Sequence, residues 1–69
     1  MEITNQIKVA ADIVWIRLNV NSGEMFLPKL RRRLRMKRAL FNQAIGWLAN
    51  EGLISIKQNV WGEKIRLIN

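Results

Sequence analysis

Seven cationic side chains lie within ten consecutive positions of this 69-residue chain and give its strongest chemical signal. The segment is PKLRRRLRMKR, from Pro28 to Arg38, and it contains no acidic residue. Its cations are Lys29, Arg31, Arg32, Arg33, Arg35, Lys37 and Arg38. Solubility requires net charge but does not require its concentration in one segment, so the clustering favours a polyanion-binding surface over a merely solvated helix face. Contacts from such residues to phosphates would supply affinity and position, without sequence specificity.

Amide side chains follow in a helix that we predict from about Arg38 to Glu51. Asn42, Gln43 and Asn50 share one face with the small residues Ala39 and Gly46, and that face carries no carboxylate. Asn and Gln can pair with adenine in the major groove, and small neighbours would allow close approach. Gly46 costs about 1 kcal/mol of helix stability relative to Ala, so we expect a packing or approach reason for it. The alternative is that the amides are ordinary solvent-exposed polar residues.

The composition argues against catalysis. The chain has no Cys and no His, Asp12 is its single aspartate, and no nucleophile–base or phosphate-loop pattern occurs. We therefore expect no enzyme activity, no cofactor and no metal. The net charge of +7 fits a nucleic-acid or anionic partner. No apolar run approaches the ~18 residues that span a bilayer, and MEITNQIK is unlike a secretory signal, so we expect a cytoplasmic protein.

The apolar periodicity predicts three helices in one domain, residues 1–69. The first runs from about Thr4 to Asn21, with Thr4 or Asn5 as N-cap and with Ile7, Ala10, Ala11, Val14 and Leu18 facing the core. A brief strand at Met25-Phe26 precedes a helix that begins at Pro28 and buries Leu27, Leu30 and Leu34. Arg35-Met36-Lys37 connects to the third helix, whose apolar face is Leu40, Phe41, Ala44, Trp47 and Leu48.

The C-terminal third alternates with the period of a β-hairpin. A turn at Asn59–Gly62 sets Ile56 opposite Ile65 and Ile54 opposite Leu67, and we expect both rows on the core side. The same register sets Lys57 opposite Lys64, an unfavourable pairing without an anion. Three fates are open to Trp61 in the turn, in order of preference: it folds over the core, contacts a second subunit or touches DNA. Trp15 and Trp47 are expected in or beside the core.

The first helix carries a second apolar stripe, formed by Val9, Ile13, Ile16 and Val20. A helix that is apolar on two faces is more naturally buried on both. We therefore expect a homodimer whose interface is this stripe. Partial burial under the wing or the termini is the alternative.

The order helix, strand, helix, helix, hairpin resembles the winged helix-turn-helix, an α+β fold. The segments that carry the resemblance are GEMFLPKL, AIGWLANEGLI and GEKIRLI, which are most similar to a small stand-alone prokaryotic family of unassigned function. The resemblance implies a recognition helix at residues 38–51 and a wing at residues 53–67. The connection Arg35-Met36-Lys37 lacks the glycine that is common there in such domains, and Leu27 stands where relatives place a Ser or Thr cap.

Together these features predict a regulator of transcription that binds double-stranded DNA. The seven cations of residues 29–38 would dock on phosphates, Asn42 and Gln43 would read bases, and Lys57, Lys64 and Arg66 would flank the duplex on the wing. The alternative is a winged-helix module for protein–protein interaction or dimerisation without specific DNA binding, because fold alone does not settle function. RNA binding or non-specific nucleoid binding lies between the two.

Overall fold

The helices and strands form in the predicted order. The structure is a computed structural model that describes residues 4–68. Its elements are α1 Asn5–Val20, β1 Glu24–Phe26, α2 Leu27–Leu34, α3 Arg38–Asn50, β2 Ile54–Asn59 and β3 Gly62–Leu67. The three strands make one antiparallel sheet in the order β1-β3-β2. This arrangement confirms the winged helix-turn-helix architecture, with β2 and β3 as the wing.

Local signals in the sequence set the helix ends. The Thr4 hydroxyl accepts a hydrogen bond from the Ile7 N–H at 3.2 Å and caps α1. Pro28 lies in the first turn of α2, where its missing N–H costs nothing. At the end of α3, Gly52 has φ +72°, and the next N–H, of Leu53, bonds back to the Leu48 carbonyl at 3.0 Å. The third helix therefore ends at Asn50, one residue earlier than predicted.

One hydrophobic core joins all three helices to the inner face of the sheet. Its members are Ala10, Ala11, Val14, Leu18, Met25, Leu30, Phe41, Ala44, Ile45, Leu48, Ile54 and Ile65. The predicted core faces of α1 and α2 are confirmed, with Leu30 fully buried and Leu27 and Leu34 packed at its edge. For α3 the prediction was incomplete. Ile45 is buried although it was not assigned to the core face, and Leu40 and Trp47 are half-buried at the rim.

The hairpin register is confirmed, and the burial of its inner face decreases toward the turn. Ile56 pairs with Ile65, Ile54 with Leu67 and Lys57 with Lys64, as predicted. Ile65 is fully buried, whereas Ile56 remains 41% exposed. Ile56 lies on the core side of the sheet with its partner Ile65, as expected, but burial in β2 fades from Ile54 toward the turn. The helices cover the base of the hairpin only.

Two tryptophans also depart from expectation. Trp61 is 81% exposed in the turn, so the first of its three predicted fates, folding over the core, is wrong. The Trp61 N–H instead donates to the Asn59 side-chain oxygen at 2.9 Å, which fixes the turn backbone. Trp47 lies beside the core as expected, while Trp15 is exposed on α1.

The α2–α3 connection contains a left-handed residue. Arg35 adopts φ +53°, ψ +27°, and its N–H bonds to the Arg31 carbonyl at 3.2 Å. A residue with a Cβ pays a conformational cost in this region that Gly does not pay. The chain therefore makes the sharp turn that the fold needs with an arginine at the position where a glycine would be easier.

The left-handed backbone at position 35 predicts that Arg35→Gly is more stable than Arg35→Ala. We expect a gain of about 0.5–1 kcal/mol in the free energy of unfolding for Arg35→Gly relative to Arg35→Ala, because both lose the same charge and only Gly relieves the positive φ. Urea denaturation of the two variants measures the difference. Equal stabilities, or a more stable Ala variant, would contradict the assigned backbone conformation.

Candidate nucleic-acid interface

The leucine strip of α2 fixes the direction in which its cations point. Leu30 is fully buried and faces the core, whereas Lys29, Arg32 and Arg33 are exposed to solvent. Lys29, Arg32, Arg33 and Arg35 line a common shallow concavity of about 360 Å³. Arg31 is separate, because it lies half-buried on the flank of the leucine strip. Four of the seven clustered cations therefore form one patch.

The patch continues onto α3 through the connecting turn. Arg35 also lines a second, larger groove of about 780 Å³, together with Lys37, Ala39 and Gln43. The opposite wall of this groove belongs to α1, with Asn5, Gln6, Val9, Ala10 and Ile13. Since Arg35 belongs to both concavities, the cations of α2 and the start of α3 form one continuous surface. We call this surface, formed by Lys29, Arg32, Arg33, Arg35, Lys37, Ala39 and Gln43, the basic face.

The first turn of α3 has an electrostatic conflict. Its N-cap, Lys37, makes no side-chain cap hydrogen bond, and the first turn contains no acidic residue. The exposed cations Lys37 and Arg38 therefore lie at the positive end of the helix dipole, where an anion is favoured. A phosphate at this point would accept hydrogen bonds from the free backbone N–H groups of the first turn and would be attracted by both cations.

The exposed side of α3 carries two small residues, Ala39 and Gly46. Asn42 is exposed one helical turn after Arg38, and Gln43 borders the groove against α1, so the two amides lie on different flanks of that side. Gly46 lies between them and Asn50 along the helix. A Cβ built on Gly46 meets no heavy atom within 4 Å. Packing within the described residues therefore does not explain this glycine.

The cations of the wing lie on a different surface. Lys57, Lys64 and Arg66 alternate with the core residues of β2 and β3, so they occupy the outer face of the sheet. They line a shallow concavity of about 290 Å³ there, together with Glu24 and Asn59. The structure thus does not bring these three cations into the concavities of the basic face.

An acid on the neighbouring strand explains how Lys57 and Lys64 tolerate each other. Lys64 Nζ lies 3.0 Å from a Glu24 carboxylate oxygen and 5.5 Å from the centre of the Phe26 ring. The Lys64 hydrogen bond, and then its charge, hold the pKa of Glu24 below the ordinary value, and Arg66 adds a smaller effect of the same sign. Sequence reasoning missed Glu24 because the β1–β3 pairing was not predicted.

The basic face has no such compensation. Within residues 4–68, no carboxylate lies at salt-bridge distance from a cation of α2 or of the following turn. Like charges crowded at helical spacing cost about 0.2–0.5 kcal/mol for each close pair. The two cationic surfaces therefore differ: the sheet carries its own counterion, and the basic face has none among residues 4–68.

The part of the chain that the structure describes offers little else for chemistry. Among residues 4–68, no group of three or more acidic, His or Cys side chains is placed to hold a metal ion. No helix in that range is long and apolar enough to cross a membrane.

A comparison with protein families gives one match. The family model described as "Winged helix-turn-helix domain (DUF2582)" matches residues 1–67. No curated protein and no solved structure matches the chain.

Replacing Gly46 by Ala should stabilise the isolated protein. Because the position is exposed, lies inside α3 and has room for a Cβ, we expect a gain of about 1 kcal/mol in the free energy of unfolding. Thermal or urea denaturation measures it. A destabilised Gly46→Ala protein would mean that the Cβ meets a neighbour, contrary to this geometry.

The Glu24–Lys64 pair makes a prediction about titration. A carboxyl with a lowered pKa adds stability above its unfolded pKa, and that contribution is lost as the pH falls through the folded pKa. NMR titration should find the pKa of Glu24 below its ordinary value in the native protein, and Lys64→Met should raise it. Lys57→Met removes an equal charge from the same face and should leave it lowered. An unshifted pKa in the native protein would contradict the pairing.

Proposed function

Because the chain belongs to the DUF2582 family of winged helix-turn-helix domains, we propose that it binds double-stranded DNA and acts in transcriptional regulation. The observation that carries this proposal is the basic face, a continuous cationic surface without a carboxylate at salt-bridge distance in residues 4–68, beside the exposed side of α3. The protein would act in the cytoplasm, as a single domain, without a cofactor.

Docking would begin with phosphates at two places. Lys29, Arg32 and Arg33 would contact one stretch of backbone, and Arg35, Lys37 and Arg38 would hold a phosphate at the start of α3. Counterions released from the DNA would supply most of the affinity. The phosphate at α3 would also relieve the conflict between two cations and the positive end of that helix. Arg31, on the flank of α2, would contribute to the potential more than to direct contacts.

The helix α3 would then lie in the major groove. Ala39 and Gly46 present almost no side chain, so the helix backbone could approach the base edges closely. Asn42 and Gln43 would read bases from the two flanks of the exposed side, with about 1–3 kcal/mol of discrimination for each good bidentate pair. Lys57, Lys64 and Arg66 would contact the backbone from the wing, but Lys64 would first have to give up part of its contact with Glu24.

We propose that the active form is a homodimer joined through Val9, Ile13, Ile16 and Val20 of α1. Two-fold pairing is the usual way in which helix-turn-helix proteins read two half-sites. The competing function is a protein–protein interaction module without specific DNA binding. Selection from random duplex oligonucleotides separates the two, because a regulator enriches a preferred sequence and an interaction module does not.

The salt dependence of DNA binding tests the role of the basic face. We expect log affinity to fall linearly with log salt, with a slope that shrinks by about 0.9 for each phosphate contact removed. The double variant Arg32→Gln/Arg33→Gln should therefore flatten the slope, measured by fluorescence anisotropy with a labelled duplex at several salt concentrations.

The matched control is Lys8→Glu, which lowers the net charge by the same two units at an exposed position of α1, away from the concavities of the basic face and from the hollow beside the apolar stripe. Its slope should stay close to that of the native protein. If the α2 variant keeps the native slope, or if both variants flatten it equally, the basic face is not the site of phosphate contact.

A further inference from the structure

The second apolar stripe of α1 is exposed along its whole length. Val9 is 56% exposed, Ile13 42%, Ile16 56% and Val20 74%, and the stripe lies on the side of the helix away from the buried residues. All four side chains are β-branched and stiff, so they lose little rotamer freedom on burial. Four such side chains in one row are a contiguous apolar surface of the kind that marks an interaction site.

The stripe has a defined border toward α2. Ile13, Ile16 and Val20 line a shallow hollow of about 260 Å³ with Arg17 and Leu34. Leu34, which is only half-buried, extends the apolar area beyond α1. Among residues 4–68, no acidic side chain lines this hollow. The surface is thus a shallow trough beside α1, suited to a second helix rather than to a small ligand.

We propose that the occupant is α1 of a second copy of this chain, packed antiparallel about a two-fold axis between Ile13 and Ile16. The spacing of the four residues is four, three and four, which reads the same in both directions. Antiparallel pairing therefore sets Val9 against Val20 of the second copy and Ile13 against Ile16 of the second copy. Each copy offers the same surface that it needs, as a two-fold interface requires. Spacings of four and three also match knobs-into-holes packing of two helices.

The charges of α1 permit this pairing. In a chain of net charge +7, α1 carries only Lys8 and Arg17 against Asp12, and of the seven clustered cations only Arg35 and Lys37 line the groove that Val9 and Ile13 share. Like charge on the two whole chains still opposes association at long range, and salt screens that repulsion. Dimerisation should therefore strengthen with salt, which is the opposite of the dependence expected for DNA binding.

A dimer of this form would determine how two copies of the chain are arranged on DNA. It would relate two α3 helices and two clusters of Lys29, Arg32 and Arg33 by the same two-fold axis, and the DNA site would be an inverted repeat. The groove of the basic face that Val9 and Ile13 line would border the dimer interface. The inverted repeat rests on the proposed function, whereas the pairing of α1 does not. The test of pairing contains no DNA, so its failure and the failure of DNA binding are distinguishable.

Complementary charges introduced at the two central positions test both the occupant and its direction. Ile13→Glu and Ile16→Lys should each be monomeric by sedimentation equilibrium, because each sets a charge against an isoleucine of the second copy. An equimolar mixture of the two should form a heterodimer. In the antiparallel register the new acid then faces the new base, and the remaining central contact is the native Ile16–Ile13 pair.

Two measurements keep the result interpretable. Asn19→Glu adds the same charge to α1 off the stripe and should remain dimeric, and circular dichroism checks that each variant is folded. A native chain that stays monomeric from micromolar to near-millimolar concentration overturns the proposal and points to a different partner for the stripe. A dimer that both single variants leave intact also overturns it. A mixture that stays monomeric, when each variant alone is monomeric, overturns the antiparallel register.

Discussion

The burial of a narrow leucine strip holds the basic face in position. Leu30 is fully covered by the core, and Leu27 and Leu34 pack at its edge, so α2 cannot rotate without exposing them. This anchoring turns a segment that would otherwise be a repelling run of cations into an ordered helix with Lys29, Arg32 and Arg33 on its outer side. The charges act on the helix in both directions, because Arg31, Arg32 and Arg33 lie in its last turn, where the helix dipole favours cations, but they also repel one another. The apolar side of the helix keeps it folded in spite of this repulsion, and the cost of the crowded charges is what a bound polyanion would remove.

The small size of the domain creates the other exposed surface. A chain of 69 residues can bury only part of the surface that it exposes when unfolded, and here the sheet and two helices cover one side of α1 only. The stripe from Val9 to Val20 remains exposed to solvent on the other side. Its β-branched residues and mirror-symmetric spacing distinguish it from a random scatter of exposed apolar side chains, such as Leu53 and Ile68 near the base of the hairpin.

Much of this structure follows from local rules. Thr4 as cap, Pro28 at the start of α2, Gly52 at the end of α3 and period-two alternation in the hairpin gave the element order and the register correctly. Most of the failures concern neighbours that are distant in sequence. Ile45 is buried by packing that helical spacing alone does not define, Trp61 stays exposed because the helices do not reach the turn, and Glu24 meets Lys64 only through the β1–β3 pairing. The left-handed Arg35 escaped prediction because an arginine carries no signal for positive φ.

The central claim is that the basic face and the exposed side of α3 receive one duplex together. Chemical-shift mapping by NMR of the native protein with duplex DNA, at low and at raised salt, tests it most directly. The account predicts that the largest shifts fall on residues 29–46, with smaller ones on the outer face of the sheet, and that all of them diminish as salt screens the phosphates. Shifts confined to the stripe of α1, or a spectrum that DNA leaves unchanged at low salt, would contradict it.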